Sequence, residues 1–501
     1  MNANLYALFQ SRFPQDSSSC CMETHDGRYY CWSDLERATA KIAHLIVSLH
    51  LPPHSRIAVQ IEKSPEALML YLAVLRAGHV YLPLNTAYQA SEIQYFIHDA
   101  QPAIVICAPR NFDWISSIAC SSGTHHVFTL GETREGSLIE CAAHYPDTFD
   151  TVPVDPHDLA AILYTSGTTG RSKGAMLTHH NLASNIRTLH RYWKWNIHDV
   201  LLHALPLFHI HGLFVAAHGA LFSGSKMIFL PKFDAQTVIH YLPRATVFMG
   251  VPTYYVRLLA EPTFNRSVCN HMRVFISGSA PLLTSTFEAF TERTGHTILE
   301  RYGMSETAML TSNPYAGPRI AGSVGVALPD VSVRITHSDG QLCAPEEPGH
   351  IEVKGHNVFA GYWNMPDQTA EAFTPDGYFK TGDIGQWEKT GYLSIVGRSK
   401  DLIISGGYNV YPKEIESIID KMEGVTESAV IGVPHSEFGE AVIAMVVPQP
   451  DVTLSEQTMI TALKSSIANF KVPKRIQFVQ ELPRNAMGKV QKNILRKQYK
   501  I

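Results

Sequence analysis

No CxxC pair occurs anywhere in the 501-residue chain. Its eight cysteines, Cys20, Cys21, Cys31, Cys107, Cys120, Cys141, Cys269 and Cys343, are scattered. A zinc ribbon or dithiol redox centre therefore has no sequence framework, and an unpatterned thiol set suits a reducing compartment. Charge is also scarce: 17% of residues are charged, the net charge is −4, and no basic field marks a nucleic-acid partner. The N-terminal MNANLYALF has neither a basic segment ahead of a long apolar core nor the Arg/Ser-rich character of a transit peptide, so a cytoplasmic setting is expected.

Residues 200–225 contain no Lys, Arg, Asp or Glu, a length that would cross a bilayer. His203, His209, His211, His218, Pro206 and several glycines interrupt the stretch, so a buried globular segment is expected and no membrane span. Internal repeats and low-complexity segments are also missing.

The chain that remains is an ordinary globular one, 45% hydrophobic, and long enough for two to four domains. Apolar runs at 56–61, 80–84 and 103–108 read as strands, with a helix over 65–77 between the first two; this βαβ rhythm predicts a parallel, helix-covered sheet. A strand over 158–164 precedes a Gly/Ser/Thr loop, and Thr178 caps a helix whose apolar face is Leu182, Ile186 and Leu189. A further strand is expected at 273–277 and a helix near 286–294. Beyond Gly355, turn-rich segments suggest a small antiparallel sheet or barrel. The last hundred residues read as a separate unit, with helices over 411–422 and 455–469 and strands at 428–433 and 441–447. Its boundary falls at 397–401.

Tyr164-Thr165-Ser166-Gly167-Thr168-Thr169-Gly170-Arg171-Ser172-Lys173-Gly174 carries the most chemistry. Its glycines allow close backbone approach to a ligand, and its hydroxyls with Arg171 and Lys173 supply the donors and positive charge that polyphosphate needs. It is not a Walker A loop, because Lys173 is followed by glycine. The segment resembles the diphosphate-gripping loop of the adenylate-forming superfamily of acyl-CoA synthetases, peptide-synthetase adenylation domains and beetle luciferases. The resemblance runs in order through the whole chain.

That resemblance implies an α/β fold: a large N-terminal domain (1–397) of helix-covered, mostly parallel sheets plus a small β-rich subdomain, a hinge (398–401), and a small mobile α+β lid (402–501). It implies ATP and coenzyme A as co-substrates and Mg²⁺ as cofactor. Arg301-Tyr302-Gly303-Met304-Ser305-Glu306-Thr307 resembles the block in which the aromatic lies on adenine and the Glu binds magnesium, an oxygen donor for a hard ion; Ser305 replaces the usual Thr and keeps its hydroxyl. Gly278, Ser279 and Ala280 resemble the adenine-pocket turn. Asp383 matches the ribose-holding carboxylate and Arg398 the ribose-contacting Arg. Lys400 falls at the hinge, while Ser405, Gly406, Gly407 and Tyr408 resemble the loop lining the pantetheine tunnel. Lys489 matches the adenylation lysine, whose ammonium would neutralise two approaching anions. Lys489, Glu306 and Thr165 are the candidate catalytic residues. ATP would meet Thr165, Ser166, Gly167, Thr168, Thr169, Gly170, Lys173, Gly278, Ser279, Ala280, Tyr302, Gly303, Ser305, Asp383, Arg398 and Lys489.

For the acid, Arg301 stands where many relatives carry a small or apolar residue. A buried guanidinium needs an anion, and a second substrate carboxylate fits its fork. His209, Ser279 and Met304 complete the expected acyl pocket. Segments 300–315, 206–215 and 229–234 resemble malonyl-CoA synthetases, some of which also act on methylmalonate. Alternatives are a short- or medium-chain fatty acyl-CoA synthetase and an adenylation domain loading a carrier protein. Partners are small molecules, and the oligomeric state, monomer or homodimer, stays open.

Overall fold

The computed structural model describes residues 2–165, 172–405, 408–435, 438–485 and 488–499. Short runs that are apolar along their whole length become central strands, because helices cover both faces. In the six-stranded sheet the order is His126–Thr129, Ile104–Cys107, Arg56–Gln60, Val80–Pro83, Leu159–Thr165 and Lys173–Thr178. All neighbours run parallel except the last two, which form a hairpin. Strand Lys173–Thr178 was not expected from the sequence, where Lys173 and Gly174 read as the end of the loop and residues 175–177 carried no assignment.

The nine-stranded sheet runs Val326–Ala327, Ala308–Ser312, Leu299–Met304, Val274–Ser277, Val247–Gly250, Val200–His203, Lys226–Phe229, Cys20–Thr24 and Tyr29–Cys31. It is parallel through the middle and closed by antiparallel pairs at both ends. Helix Pro65–Arg76 is buried along its entire length, and one apolar cluster unites its residues with side chains of both sheets.

The expected helix after Thr178 runs His179–Tyr192. Thr178 Oγ1 accepts from Asn181 N at 3.0 Å, while Asn181 Oδ1 accepts from Thr178 N at 2.9 Å. Such a cap contributes about 1 kcal/mol. Asn181 Nδ2 also donates to His356 O and Val358 O, tying the helix start to the segment that carries Tyr362.

The small antiparallel sheet begins earlier than the change in texture at Gly355: Val331–Thr336 pairs residue for residue with 350–355 of strand Gly349–Gly355, followed by Phe379–Trp387 and Leu393–Arg398. The sequence cue lay in the later turns; the first hairpin is set by cross-strand pairing. From residue 403 onward a further sheet of Ile403–Ser405, Tyr408–Val410, Val425–His435, Gly439–Pro448 and Arg475–Phe478 has its own apolar clusters, built around Ile415, Val430 and Ile443.

The uncharged stretch divides into strand Val200–His203, a π-helix His211–Ala217 and helix His218–Ser223, with nearly every residue buried in protein. Among the described residues no helix is long and apolar enough to cross a membrane.

Candidate active site

The carboxyl ends of the parallel strands deliver the site, as is general for open α/β sheets. Strand Leu299–Met304 runs on beyond Leu299 to present Arg301 and Tyr302, and its antiparallel partner passes so close to Gly303 that a Cβ there would lie 1.9 Å from Ala308 O. Only glycine fits at that crossing. The hydroxyl of Tyr302 donates to Asp383 Oδ2 at 2.6 Å, and Arg398 Nε lies 3.0 Å from Asp383 Oδ1. Asp383 and Arg398 face each other across an antiparallel pair, which fixes their spacing through the backbone. Asp383 is buried, and each of its oxygens keeps a lone pair that two vicinal hydroxyls can use.

A second group assembles around the phosphate loop. Thr165 ends one strand and Lys173 starts the next, paired in register, with Thr165 Oγ1 donating to Lys173 O at 3.4 Å. Lys173 Nζ sits 4.8 Å from the centre of the Tyr362 ring, whose hydroxyl donates to Glu306 Oε1 at 3.1 Å. Glu306 is buried, and that burial raises its carboxyl pKa. Ser166, Gly167, Thr168, Thr169 and Gly170 lie outside the described residues, as does Arg171. Tyr362 carried no signal in the sequence; the bridge Ala175↔Tyr362 and the bond from Trp363 N to Gly174 O bring it in.

The residues expected to hold the acid include a buried cation, Arg301. Arg301 is 3% exposed, and among the described residues its Nε and Nη2 find no hydrogen-bond partner. Burial lowers its pKa to about 9, so desolvation outweighs the help from Tyr255 and Glu300. The guanidinium lies against Gly278, where a Cβ would stand 2.4 Å from Cζ. Ser279 takes a left-handed φ of 72° and its hydroxyl is 3.2 Å from His211 Nδ1. His211 N in turn donates to His209 Nδ1 at 3.2 Å. Burial, then Arg301 and Lys489, push the His209 pKa down to about 3, so the ring is neutral and gives Arg301 no counter-charge. Met304, half-buried, ends the same strand, and its N–H donates to Thr307 Oγ1 at 3.3 Å; Ser305 follows in the turn before Glu306, and Ala280 is half-buried after Ser279.

Lys489 reaches this site from the C-terminal sheet region. Its backbone is held by Asn485, whose Oδ1 accepts from Lys489 N at 3.0 Å. Gly488, at φ 72°, packs so that a Cβ would lie 3.0 Å from Thr253 Oγ1. Burial, then Arg398, lowers the Lys489 pKa to about 8, partly offset by Asp383. Lys400 is exposed in the turn Ser399–Asp401, with Asp401 paired to Arg496 at 2.8 Å. Ser405 is buried and pairs with both Gly439 and Tyr408; Gly406 and Gly407 lie outside the described residues.

Residues 9–363 match the family model of the AMP-binding enzyme, and residues 414–489 match that of the AMP-binding enzyme C-terminal domain. A malonate–CoA ligase of Arabidopsis thaliana is 32% identical, with 99% of this chain and 89% of the relative covered. A mitochondrial malonate–CoA ligase of Mus musculus is 36% identical over 84% of this chain and 78% of its own. The ATP-bound crystal structure of MatB from Rhodopseudomonas palustris is 53% identical, covers 100% of this chain and 99% of its own, and superposes with a TM-score of 0.98. The apo crystal structure of the same protein, with the same coverage and identity, gives 0.87.

Proposed function

The chain belongs to the AMP-binding enzyme family, and from that premise we propose its reaction, its acid and the roles of its residues. It is an AMP-forming acid–thiol ligase that activates malonate. One malonate carboxylate oxygen attacks the α-phosphorus of ATP, the bond to pyrophosphate breaks, and malonyl-AMP forms. The thiol of CoA, losing its proton, then attacks the acyl carbon and expels AMP. Methylmalonate, with the same two carboxylates and one more methyl, is the second candidate acid.

Arg301 carries the choice of acid. A buried guanidinium whose Nε and Nη2 have no partner among the described residues, beside a neutral histidine, calls for an anion. The distal carboxylate of a short diacid supplies it with bidentate geometry. Gly278, Ser279, His209 and Met304 then shape the space around the reacting half.

ATP is assigned to the surface from Asp383, Arg398 and Tyr302 to Thr165, Lys173 and Ser305, with residues 166–170 gripping its phosphates. Glu306 suits a magnesium ion: it is an oxygen donor, buried, and burdened by its charge. Bound there, the ion would neutralise the polyphosphate. Lys489 is proposed as the ammonium that offsets the charge of carboxylate and α-phosphate as they meet. Lys400, the hinge, and Ser405, Gly406, Gly407 and Tyr408 are assigned to the thioester step, in which the lid (402–501) turns on residues 398–401. Close superposition on an ATP-bound relative supports reading this conformation as the adenylating one. A cytoplasmic setting accords with the eight free cysteines.

Pyrophosphate release with ATP and a panel of acids tests the reading. Malonate is expected to lead, with butyrate far behind; equal or better turnover of butyrate would instead support the fatty acyl alternative.

A further inference from the structure

The hairpin joining Val331–Thr336 to Gly349–Gly355 brings together three side chains whose spacing in the sequence signals nothing. His337, Cys343 and Glu347 are each half-buried, and one ligand atom from each lies within 4.8 Å of the others. Among the described residues this is the one such set. The hairpin's second strand pairs with Phe379–Trp387, the strand that carries Asp383, but no step proposed above uses the hairpin itself.

The frame holding the three groups is already ordered. His337 N donates to Gln341 O at 2.8 Å, Gly340 N to His337 O at 3.0 Å, and Cys343 N to Ile335 O at 2.9 Å. Glu347 Oε2 accepts from Ala344 N at 3.0 Å and lies 3.4 Å from His337 Nε2. The Cys343 thiol rests against Gly349, where a Cβ would come within 2.5 Å of Sγ. A side chain at 349 would displace the sulfur from the other two groups. Asp339, in the same loop, accepts from Gln341 N and is close enough for its charge to act on the thiol.

We propose that this hairpin is a binding site for a borderline-soft divalent cation, Zn²⁺ foremost, with His337, Cys343 and Glu347 as ligands and Asp339 or water as the fourth. Imidazole, thiolate and carboxylate together suit zinc and disfavour Mg²⁺ or Ca²⁺, which take oxygen ligands. A tetrahedral ion with bonds of about 2.0–2.3 Å needs its ligand atoms about 3.3–3.8 Å apart. Ligand atoms now within 4.8 Å of one another would draw together by about 1–1.5 Å on binding the ion. The ion would clip a two-stranded connection rather than take part in acid activation, and is separate from the magnesium assigned to Glu306.

Titration of the full-length enzyme with Co²⁺, without ATP, tests this, with Zn²⁺ as competitor. Wild type is expected to take one equivalent, show a thiolate-to-cobalt charge-transfer band in the near ultraviolet, and lose it on adding Zn²⁺. Cys343→Ser should abolish the band, and His337→Ala should weaken Zn²⁺ binding roughly ten-fold or more. Replacing the exposed Cys120 with Ser should change neither. Matched melting temperatures of the metal-free variants establish that each is folded. No band in wild type, a band surviving in Cys343→Ser, or unchanged Zn²⁺ affinity in His337→Ala would each overturn the proposal.

Discussion

The Arg301 guanidinium occupies the volume that a side chain on Gly278 would fill: a Cβ at 278 would stand 2.4 Å from both Cζ and Nη1. Gly278 has no positive φ to explain it. Its smallness serves the arginine. The expected result for Gly278→Ala is therefore a displaced guanidinium in a protein that still folds, because the tip of a long side chain yields more easily than backbone. We expect kcat/KM for malonate to fall about ten- to hundred-fold, equivalent to about 1.4–2.7 kcal/mol, with KM for ATP and the melting temperature little changed. Steady-state kinetics with each substrate varied will check it.

Tyr362 links Lys173 and Glu306 without being part of either motif. Tyr362→Phe keeps the ring beneath the ammonium and deletes the donor to the carboxylate. A hydrogen bond to a charged group contributes about 1.5–3 kcal/mol. The apparent affinity for Mg-ATP is expected to fall about ten-fold or more, while discrimination between malonate and butyrate stays as in wild type.

Lys489, with its pKa lowered to about 8, is protonated below that pH and neutral above it. If Lys489 supplies the ammonium proposed for adenylation, kcat/KM should decline as pH rises through about 8, not near the usual lysine range above 10. Bound ATP adds negative charge beside the amine, so the same limb should lie higher in kcat. Lys489→Ala should lower adenylation by about a hundred-fold or more yet leave supplied malonyl-AMP able to react with CoA. Rapid quench with each half-reaction separates the two.

Glu300, on the strand beside Arg301, is 5% exposed, and burial raises its pKa to about 8. Oε1 accepts from Leu282 N, while Oε2 has no partner among the described residues. The folded protein thus holds this proton more tightly than the unfolded chain does. Stability should fall as pH climbs from about 4.5 to 8, because the unfolded state releases the proton first. Glu300→Gln keeps an acceptor for Leu282 and removes the ionisation. Its melting temperature should exceed that of wild type at pH 8, and the advantage should vanish near pH 4.5.

Local chemistry was legible in the sequence. Alternation of apolar strands and helices announced the parallel sheets, the Thr178 cap emerged where its side chain predicts, and the blocks around Tyr302, Asp383 and Lys489 flagged groups that the fold brings together. What stayed hidden depends on distant pairing. Tyr362 meets Glu306 across 56 residues, and Ser279 meets His211 across 68; no local periodicity encodes either. Strand Lys173–Thr178 was masked because its glycine and its lysine read as loop, although pairing with Leu159–Thr165 makes it regular. Cys343 is one of the scattered cysteines without a patterned partner in the sequence for the same reason: His337 and Glu347 approach it through a hairpin, not through a spacing.

The substrate assignment rests on Arg301, and one comparison tests it most directly: kcat/KM for malonate and for butyrate, in wild type and in Arg301→Met. Loss of a buried charge's partner costs about 3–5 kcal/mol. The variant should therefore lose malonate activity by a hundred-fold or more while butyrate activity holds or rises, reversing the preference. A variant that still prefers malonate as strongly as wild type would contradict the account.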